Sequence, residues 1–304
     1  MPIAQPLCPI CESSRKRGLP CYHEWNGVRW RHVRCRACGH RYTDPMPTAH
    51  ELERMYGDEY FEDGGEWVCG YWSGGYLSNE ALLRSEARDT LALLPATGPR
   101  MLEIGAAGGF FLDEARSTGF DVHGIELNRT MADWGRLHLG LDMVCTSFEA
   151  AEIPEESFDV VVAQDVLEHV REPREFVEHV ARILTPGGVF LVRGPLEQSW
   201  KDRFYLAVRR WLHRGFIVVS LPPYHLQGFV RRSFRQVVEA SGMAVTSFRA
   251  MATRPRLDLS SPKSIVATAI ELGAWEADRV TATGDFMVGC AIRAAVPSRA
   301  HEVR

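Results

Sequence analysis

The stretch Met101-Leu-Glu-Ile-Gly-Ala-Ala-Gly-Gly-Phe110 decides the fold class of this chain. In it a short apolar strand runs into an acidic residue and a glycine-rich turn, and an amphipathic helix follows over residues 110–116. Such a turn lets a ligand lie against bare backbone at a helix N-terminus. The dinucleotide fingerprint G-x-G-x-x-G fails here, because a frame that starts at Gly105 puts Ala107 and Phe110 where its second and third glycines belong. The turn therefore favours another class of ligand.

The spacing of the acid and the glycines matches a different pattern. Glu103, Gly105 and Gly109 form acid-x-Gly-x-x-x-Gly, which resembles motif I of the class I S-adenosylmethionine-dependent methyltransferases. Ala107 replaces the middle glycine of that motif. The replacement costs little only if the backbone keeps a negative φ at this position. The resemblance implies a Rossmann-like α/β fold that binds S-adenosylmethionine.

Segments after the turn extend the same resemblance. The apolar residues 120–125 end in Glu126, 21 residues after Gly105. An acid at the tip of a second strand can accept hydrogen bonds from both hydroxyls of a ribose. Residues 156–170 and 185–192 resemble the family's run SFDVV…VLEHV…LKPGG almost word for word. The resemblance covers about residues 76–250.

A regular alternation of apolar strands and helices predicts the sheet. Strands are predicted near residues 100–104, 120–125, 142–145, 158–163 and 188–193. This alternation is typical of a parallel sheet with helices on both faces. The resemblance implies two further strands, at residues 243–250 and 285–293, that end the sheet as an antiparallel pair. The predicted fold class is α/β, a Rossmann-like seven-stranded methyltransferase sheet.

Four of the eight cysteines have the spacing of metal ligands. Cys8 and Cys11 form one C-x-x-C pair, and Cys35 and Cys38 form a second pair after 23 intervening residues. In a cytosolic chain this spacing indicates zinc rather than disulfides, and four thiolates suit the tetrahedral preference of zinc. A redox C-x-x-C is disfavoured, because it is normally a single pair beside a βαβ unit. We therefore expect a structural zinc in an N-terminal zinc ribbon.

The chain divides into four predicted parts. They are a zinc ribbon at 1–47, a linker or lid segment at 48–77, a methyltransferase domain at 78–296 and a tail at 297–304. Inserts at 198–226 and 253–283 lie where the family builds substrate pockets. The ribbon and the following P-x-P-T segment resemble the N-terminal zinc-binding part of bacterial small-molecule and sugar methyltransferases. We expect the ribbon to have a core separate from that of the large domain.

Composition limits the class of protein. The 304 residues are 45% hydrophobic and 24% charged with a formal net charge of −4, as in soluble globular proteins. No apolar run approaches the roughly 20 residues that span a bilayer, and the first residues lack the features of a signal peptide. We therefore expect a cytoplasmic protein. The ribbon alone is basic, which is compatible with a surface for phosphates or nucleic acid and equally with a solvated face.

The resemblance assigns cofactor roles to particular residues. Its motifs imply that Glu103 and the backbone around Gly105 and Gly109 hold the methionine portion, and that Glu126 binds the ribose. In the loop after the third strand, Ser147 and Phe148 would lie at the edge of the adenine. In the loop after the fourth strand, Gln164 and Asp165 would close over the methionyl end.

The acceptor side offers three candidate catalytic residues. His169 follows the fourth strand, where the family places the transferred methyl group, and an imidazole titrates near neutral pH. It is the first candidate for the general base, although it can equally brace the loop. Tyr224 and His225 lie in a proline-rich loop and are the alternative base or substrate contacts. The run from Asp165 to His169, with Glu168, also resembles the E-x-x-E-H run that holds a divalent ion in ubiquinone-pathway O-methyltransferases.

These observations predict an S-adenosylmethionine-dependent methyltransferase. The expected acceptor is an O, N or activated C atom of a small molecule that carries one or two anionic groups, such as a natural product or a sugar nucleotide. One alternative is a zinc-ribbon methyltransferase of ribosomal or transfer RNA, and a further alternative is a non-catalytic module that only binds the cofactor. The sequence predicts no membrane association and leaves the oligomeric state open.

Overall fold

The computed structural model describes residues 7–25, 27–48, 50–52, 75–204, 224–252 and 260–294. Within these ranges the strands form two sheets, one of four strands and one of seven. The strands are β1 (Lys16–Trp25), β2 (Val28–Cys35), β3 (Arg41–Thr43), β4 (Arg100–Ile104), β5 (Asp121–Glu126), β6 (Asp142–Cys145), β7 (Phe158–Gln164), β8 (Leu184–Pro195), β9 (Gln227–Gly228), β10 (Met243–Met251) and β11 (Phe286–Arg293). The principal helices are α1 (Glu80–Leu91), α2 (Phe110–Ser117), α3 (Arg129–Trp134), α4 (Pro173–Ile183), α5 (Arg231–Ala240) and α6 (Pro262–Thr281).

The seven-stranded sheet has the order β10-β11-β8-β7-β4-β5-β6. Five neighbouring strands are parallel, and β11 runs antiparallel to both β8 and β10. The helix α4 shows why the elements form: Pro173 stands in its first turn, and the buried Phe176, Val177 and Val180 share one face at helical spacing. The predicted seven-stranded sheet and its closing antiparallel pair are confirmed.

The strand order places a ligand site at one edge of this sheet. β4 pairs with β5 on one side and with β7 on the other, and β7 in turn pairs with β8. The connection that follows β4 and the connection that follows β7 therefore run in opposite directions from the centre of the sheet. Ligands of open α/β sheets bind in the crevice outside such a switch point. The glycine-rich turn after β4 starts there, and the amides of Gly105 and Ala106 donate to the Ile125 carbonyl at the end of β5.

The N-terminal cysteine segment forms the four-stranded sheet, of order β1-β2-β3-β9. β1 and β2 are an antiparallel hairpin whose turn contains Gly27 at φ +73°, the left-handed region that glycine adopts easily. β3 follows the second cysteine pair and pairs with β2. The fourth strand, β9, comes from Gln227–Gly228, far away in the sequence, and completes the ribbon sheet.

The expectation of a separate ribbon core is wrong. Ribbon side chains lie in the same hydrophobic cluster as side chains of the large sheet and its helices. The ribbon members are Cys8, Ile10, Val33, Cys35, Cys38 and Tyr42. A ribbon of about 35 residues is too small to bury a sufficient core alone, so it uses the surface of its neighbour. The two parts therefore share one continuous core.

A buried ion-pair network reinforces this junction. Arg41 of β3 is 2% exposed, and its guanidinium donates to both carboxylate oxygens of Asp202 and to Glu197. Glu197 follows β8, and Asp202 lies in the helical residues 200–204. The guanidinium compensates the charge of both buried carboxylates, and removal of one partner of a buried ion pair typically costs about 3–5 kcal/mol.

Several predicted segments lie outside the described residues. They include residues 205–223 of the first insert, 253–259 of the second, most of the lid segment at 53–74 and the tail. The described part of the second insert contains α6. The domain boundaries themselves stay a prediction. In the part of the chain that the structure describes, no helix is long and apolar enough to cross a membrane.

Candidate active site

The turn after β4 has a left-handed backbone at three positions. Gly105, Ala107 and Gly109 have φ values of +72°, +47° and +85°. A Cβ atom at Gly105 would lie 2.5 Å from the Val166 side chain, and one at Gly109 would lie 2.3 Å from Leu141. Both glycines are thus required by conformation and by space. Ala107 does not have the negative φ at which alanine would replace the motif's glycine with little loss of stability. A left-handed backbone costs a non-glycine residue about 1–2 kcal/mol.

Glu126 stabilises this strained turn. Its Oε2 accepts a 2.7 Å hydrogen bond from the Ala107 amide, and its Oε1 accepts one of the same length from the Asn128 amide. Burial raises the pKa of the carboxyl group, while these amide bonds act in the opposite direction. A carboxylate has about four lone-pair positions, so the same oxygens can still accept from a ribose. The ribose role stays a prediction with compatible geometry.

Glu103 presents a buried oxygen toward the switch point. The residue is 3% exposed, and its Oε1 accepts a 3.0 Å hydrogen bond from Gln164 Nε2 at the end of β7. No donor among the described residues reaches its Oε2. Burial, with a smaller effect of the nearby Glu126, raises the pKa of Glu103 to about 8. A cationic ligand group would satisfy the oxygen and stabilise the carboxylate, which fits the methionine portion of S-adenosylmethionine.

Tyr76 is a contact of this turn that the motif pattern did not single out. Its hydroxyl oxygen accepts a 3.2 Å hydrogen bond from the Phe110 amide, and the two rings stack with centroids 4.9 Å apart. A Cβ atom at Gly108 would lie 2.6 Å from the Tyr76 ring. In the sequence, Tyr76 stands out only as the last aromatic residue of the predicted linker or lid segment at 48–77. It covers the N-terminus of α2, where the cofactor is expected.

The loop after β6 holds the two predicted adenine contacts. Ser147 is half-buried, and its Oγ accepts a 3.2 Å hydrogen bond from the Ala150 amide. Phe148 is 4% exposed and packs against Phe176 and His179 of α4. The Phe148 ring thus belongs to the hydrophobic core. The adenine roles of both residues stay predictions.

The loop after β7 begins with a second strained residue. Asp165 has φ +52°, and its amide donates a 2.8 Å hydrogen bond to the Arg193 carbonyl of β8. Surrounding protein raises the pKa of the Asp165 carboxyl group to about 6, although the residue stays accessible to solvent. Strain of this kind persists where the surroundings hold it, often at functional sites.

The three predicted acceptor-side residues come together. His169 Nδ1 lies 2.9 Å from the Tyr224 carbonyl, which can only accept, so Nδ1 carries the proton and the lone pair of the neutral ring is on Nε2. The His169 ring lies edge-on to the rings of Tyr224 and His225, at 5.1 and 5.0 Å between centroids. Burial lowers the pKa of His169 to about 4 and that of His225 further below its usual range, so both are neutral at pH 7.

Glu168 joins the two histidines in a possible metal site. One ligand atom from each of Glu168, His169 and His225 lies within 4.8 Å of the others. Burial and the Asp165 charge raise the pKa of Glu168 well above its usual value. The set contains His225 from a distant segment in place of Asp165, which the sequence had grouped with Glu168 and His169. One carboxylate and two neutral imidazoles are a donor set suited to a divalent cation.

The four predicted zinc ligands also cluster. Their sulfur atoms lie within 4.8 Å of one another, with 3.6 Å between Cys8 and Cys38 and 3.5 Å between Cys11 and Cys35. Zinc–sulfur bonds of about 2.3 Å give sulfur–sulfur edges of about 3.8 Å in a tetrahedron, whereas a disulfide needs about 2.05 Å. The Ala37 amide donates to the Cys35 sulfur at 3.3 Å. The residues therefore fit a tetrahedral zinc.

Comparison with known proteins identifies the family. The methyltransferase domain family matches residues 78–247, more than half of the chain. A ubiquinone biosynthesis O-methyltransferase of Rhodopseudomonas palustris strain BisB5 is 33% identical over 195 residues, which cover 59% of this chain and 73% of that protein. With the sheet order and the glycine-rich turn described above, the chain belongs to the methyltransferase domain family and is an S-adenosylmethionine-dependent methyltransferase.

Solved structures support the fold alone. The [4+2]-cyclase SpnF has a TM-score of 0.52 and 16% identity, covering 83% of this chain and 98% of that chain. A SAM-dependent methyltransferase from Archaeoglobus fulgidus has a TM-score of 0.50 and 14% identity, covering 70% of this chain and 94% of that one. The cyclase shows that this fold also serves other reactions, so the acceptor chemistry of the present chain depends on its own site.

Proposed function

We propose that this enzyme methylates a hydroxyl group of a small anionic molecule. The observation that carries the proposal is the cluster of His169, Tyr224 and His225 beside the carboxyl end of β7. It lies next to Gln164 and Asp165, the predicted neighbours of the methionyl end. The relative from Rhodopseudomonas palustris, which carries the name of an O-methyltransferase, favours oxygen over nitrogen or carbon as the acceptor atom.

Methyl transfer from a sulfonium is an in-line displacement at the methyl carbon. The protein must hold the acceptor oxygen close to that carbon and take up the hydroxyl proton. In this scheme Nε2 of the neutral His169 receives the proton, while the Nδ1 bond to the Tyr224 carbonyl holds the ring orientation. Glu168 Oε1 lies 3.9 Å from Nε2, so the positive charge that forms on the imidazole would oppose the raised pKa of Glu168, and its carboxylate would stabilise the imidazolium.

A divalent cation is the alternative role for the same atoms. Glu168, His169 and His225 would hold it, and the bound ion would polarise the acceptor hydroxyl and lower its pKa. In that case His169 is a ligand and takes up no proton. The proposed base and the proposed ligand role predict opposite responses to a chelator, so the two are separable.

The anionic character of the acceptor is inferred from charge. The chain has a formal net charge of −4, whereas basic residues concentrate in the ribbon and near the start of the first insert. A local basic surface on an acidic protein suits one or two anionic groups better than a long polyanion. The rival acceptor is ribosomal or transfer RNA, for which the basic ribbon is the specific support.

An acceptor panel with methyl-labelled S-adenosylmethionine tests the proposal. Carboxylated catechols, nucleotide sugars and bulk tRNA are the three probes, and transfer to a carboxylated catechol or a nucleotide sugar is expected. Binding of tRNA across a salt series is the second measurement. A log–log slope steeper than about −4, together with methyl transfer only to tRNA, would overturn the choice of a small acceptor.

His169→Ala then tests the site. Loss of transfer of about 10²–10⁴-fold with unchanged cofactor affinity is expected for a general base. The matched control is His138→Ala, because His138 is an exposed histidine outside the acceptor-side cluster, with its ring against Trp134 of α3. Insensitivity of the wild type to a chelator supports the base. Loss of transfer in a chelated enzyme that keeps its ribbon zinc by elemental analysis, with restoration by a divalent cation, supports the ligand role. Full activity of His169→Ala would refute both.

A further inference from the structure

The ribbon strands β2 and β3 are hydrogen-bonded to the loop that carries two of the acceptor-side residues. The His225 carbonyl oxygen accepts a 2.8 Å hydrogen bond from His32 Nε2 and a 3.0 Å hydrogen bond from Thr43 Oγ1. His32 and Thr43 are 3% and 1% exposed. The Thr43 amide also donates to the Leu226 carbonyl at 2.9 Å. Three bonds from β2 and β3 thus hold two consecutive residues of the loop.

The opposite side of the same loop contacts the segment after β7. The Leu226 amide donates to the Glu168 carbonyl at 2.8 Å, and His169 Nδ1 donates to the Tyr224 carbonyl at 2.9 Å. Gln227 Nε2 donates to the Val170 carbonyl at 3.0 Å. Residues 224–227 therefore lie as a strip between the ribbon strands and the candidate acceptor site. A displacement of the ribbon would move the strip and the rings it carries.

The two ribbon donors are placed side by side by strand register. His32 and Thr43 are directly paired across β2 and β3, so both side chains project from the same face of the ribbon sheet toward one oxygen. Between them the chain passes through Cys35 and Cys38, half of the zinc set. Metal binding at the cysteines would hold the segment that joins β2 to β3 in one conformation. It would thereby help to fix the positions of His32 and Thr43 relative to each other.

From this geometry we infer that the zinc ribbon forms one wall of the methyl-acceptor site, with His32 and Thr43 as positioning residues for Tyr224 and His225. The inference rests on the proposed function, because it assigns the acceptor to the His169 cluster. It gives the ribbon a role in catalysis, although the hydrogen bonds of Glu103 and Glu126 within the described residues go to Gln164, Ala107 and Asn128 and not to the ribbon. The effect of a ribbon variant should therefore fall on the acceptor side alone.

The principal test is imidazole nuclear magnetic resonance on the full-length, zinc-loaded protein with bound S-adenosylhomocysteine. His32→Leu and Thr43→Val each remove one donor to the His225 carbonyl, and we expect both to shift or broaden the ring signals of His169 and His225. His32→Gln keeps a side-chain N–H at similar reach and should restore the wild-type signals. Thr43→Val removes only a hydroxyl and preserves the shape of the side chain, so it remains informative if His32→Leu does not fold.

Two further measurements separate positioning from general damage. Affinity for S-adenosylmethionine should stay within about twofold in every variant, while kcat for an acceptor found in the panel should fall on the order of 10²-fold in the double variant His32→Leu, Thr43→Val, as for a misplaced reacting group. Val33→Ala is the matched control. Val33 is as buried as His32, is adjacent to it in β2 and faces the other side of the sheet.

The possible outcomes separate a positioning role of His32 and Thr43 from general damage to the protein. Unchanged His169 and His225 signals in Thr43→Val and in His32→Leu would overturn the inference, as would an equal change in Val33→Ala or a failure of His32→Gln to restore them. The resonance result does not depend on the identity of the acceptor. Absence of transfer to any small molecule by the wild type, with the expected resonance shifts present, would refute the proposed function and leave the ribbon–loop coupling established.

Discussion

The affinity for S-adenosylmethionine should depend on pH through Glu103. Its Oε2 is buried without a donor among the described residues, and its pKa of about 8 leaves roughly nine-tenths of the free protein protonated there at pH 7. A bound cationic methionine portion would return the carboxyl group toward its ordinary value of 4.5. Binding at pH 7 should therefore release about 0.9 of a proton.

The magnitude follows from the distance between pH and pKa. Deprotonating Glu103 costs about 1.4 kcal/mol at pH 7 and about 2.7 kcal/mol at pH 6, because one pKa unit equals about 1.36 kcal/mol. Since the ligand binds the deprotonated form, affinity should rise about tenfold from pH 6 to pH 7 and flatten near pH 8. Measurements should stop at about pH 7.5, above which the ligand's own amino group begins to lose its proton.

Isothermal titration in two buffers of different ionisation enthalpy measures both the affinity and the number of released protons. Glu103→Gln has the same shape and no titration, so its binding should be weaker at pH 7.5 and nearly independent of pH. The difference from the wild type should shrink by about 2 kcal/mol between pH 7.5 and pH 6. A thermal melt of the variant controls for folding. Proton release near zero and a flat wild-type affinity would refute the assignment of Glu103 to the methionine portion.

Four further changes have defined outcomes. Glu126→Ala should weaken cofactor binding by about 1.5–3 kcal/mol in calorimetry, the range for hydrogen bonds to a charged group, and an unchanged affinity would contradict the ribose role. Ala107→Gly should leave the free energy of unfolding unchanged or raise it by up to about 1 kcal/mol, because relief of the left-handed strain is partly offset by the larger conformational entropy of glycine in the unfolded chain. A clear decrease of the unfolding free energy in urea denaturation would count against strain at this position. Arg41→Ala should lower the free energy of unfolding by about 3–5 kcal/mol, since two buried carboxylates lose their partner, and a change below about 1 kcal/mol would show that the network is relaxed. Elemental analysis should find one zinc per chain. Cys35→Ser should lower the melting temperature of the whole protein rather than of the ribbon alone, because the two parts share one core. An unchanged melting transition of the large domain would contradict that coupling.

The sequence alone determined the elements whose signals are local. These signals are the acid near the end of β4, the glycines after it, the apolar strands and the two C-x-x-C pairs, each of them a pattern within 31 residues or fewer. Each has a direct physical cause in backbone conformation, strand burial or thiolate chemistry. The seven-stranded sheet, the family and the cysteine cluster followed from them. Local patterns also predicted that Glu103 and Glu126 lie near the carboxyl ends of β4 and β5. These ends are neighbours, because parallel strands have their carboxyl ends at the same edge of the sheet.

Only the tertiary structure decided how the ribbon and the large domain combine. The bonds from His32 and Thr43 to the His225 carbonyl join residues more than 180 positions apart, and the Arg41 network spans more than 150. No periodicity encodes such pairs, since they depend on which surfaces pack together after the elements have formed. The left-handed backbone of Ala107 was likewise invisible in the sequence, because an alanine predicts a negative φ until a partner such as the Glu126 carboxylate holds its amide in place.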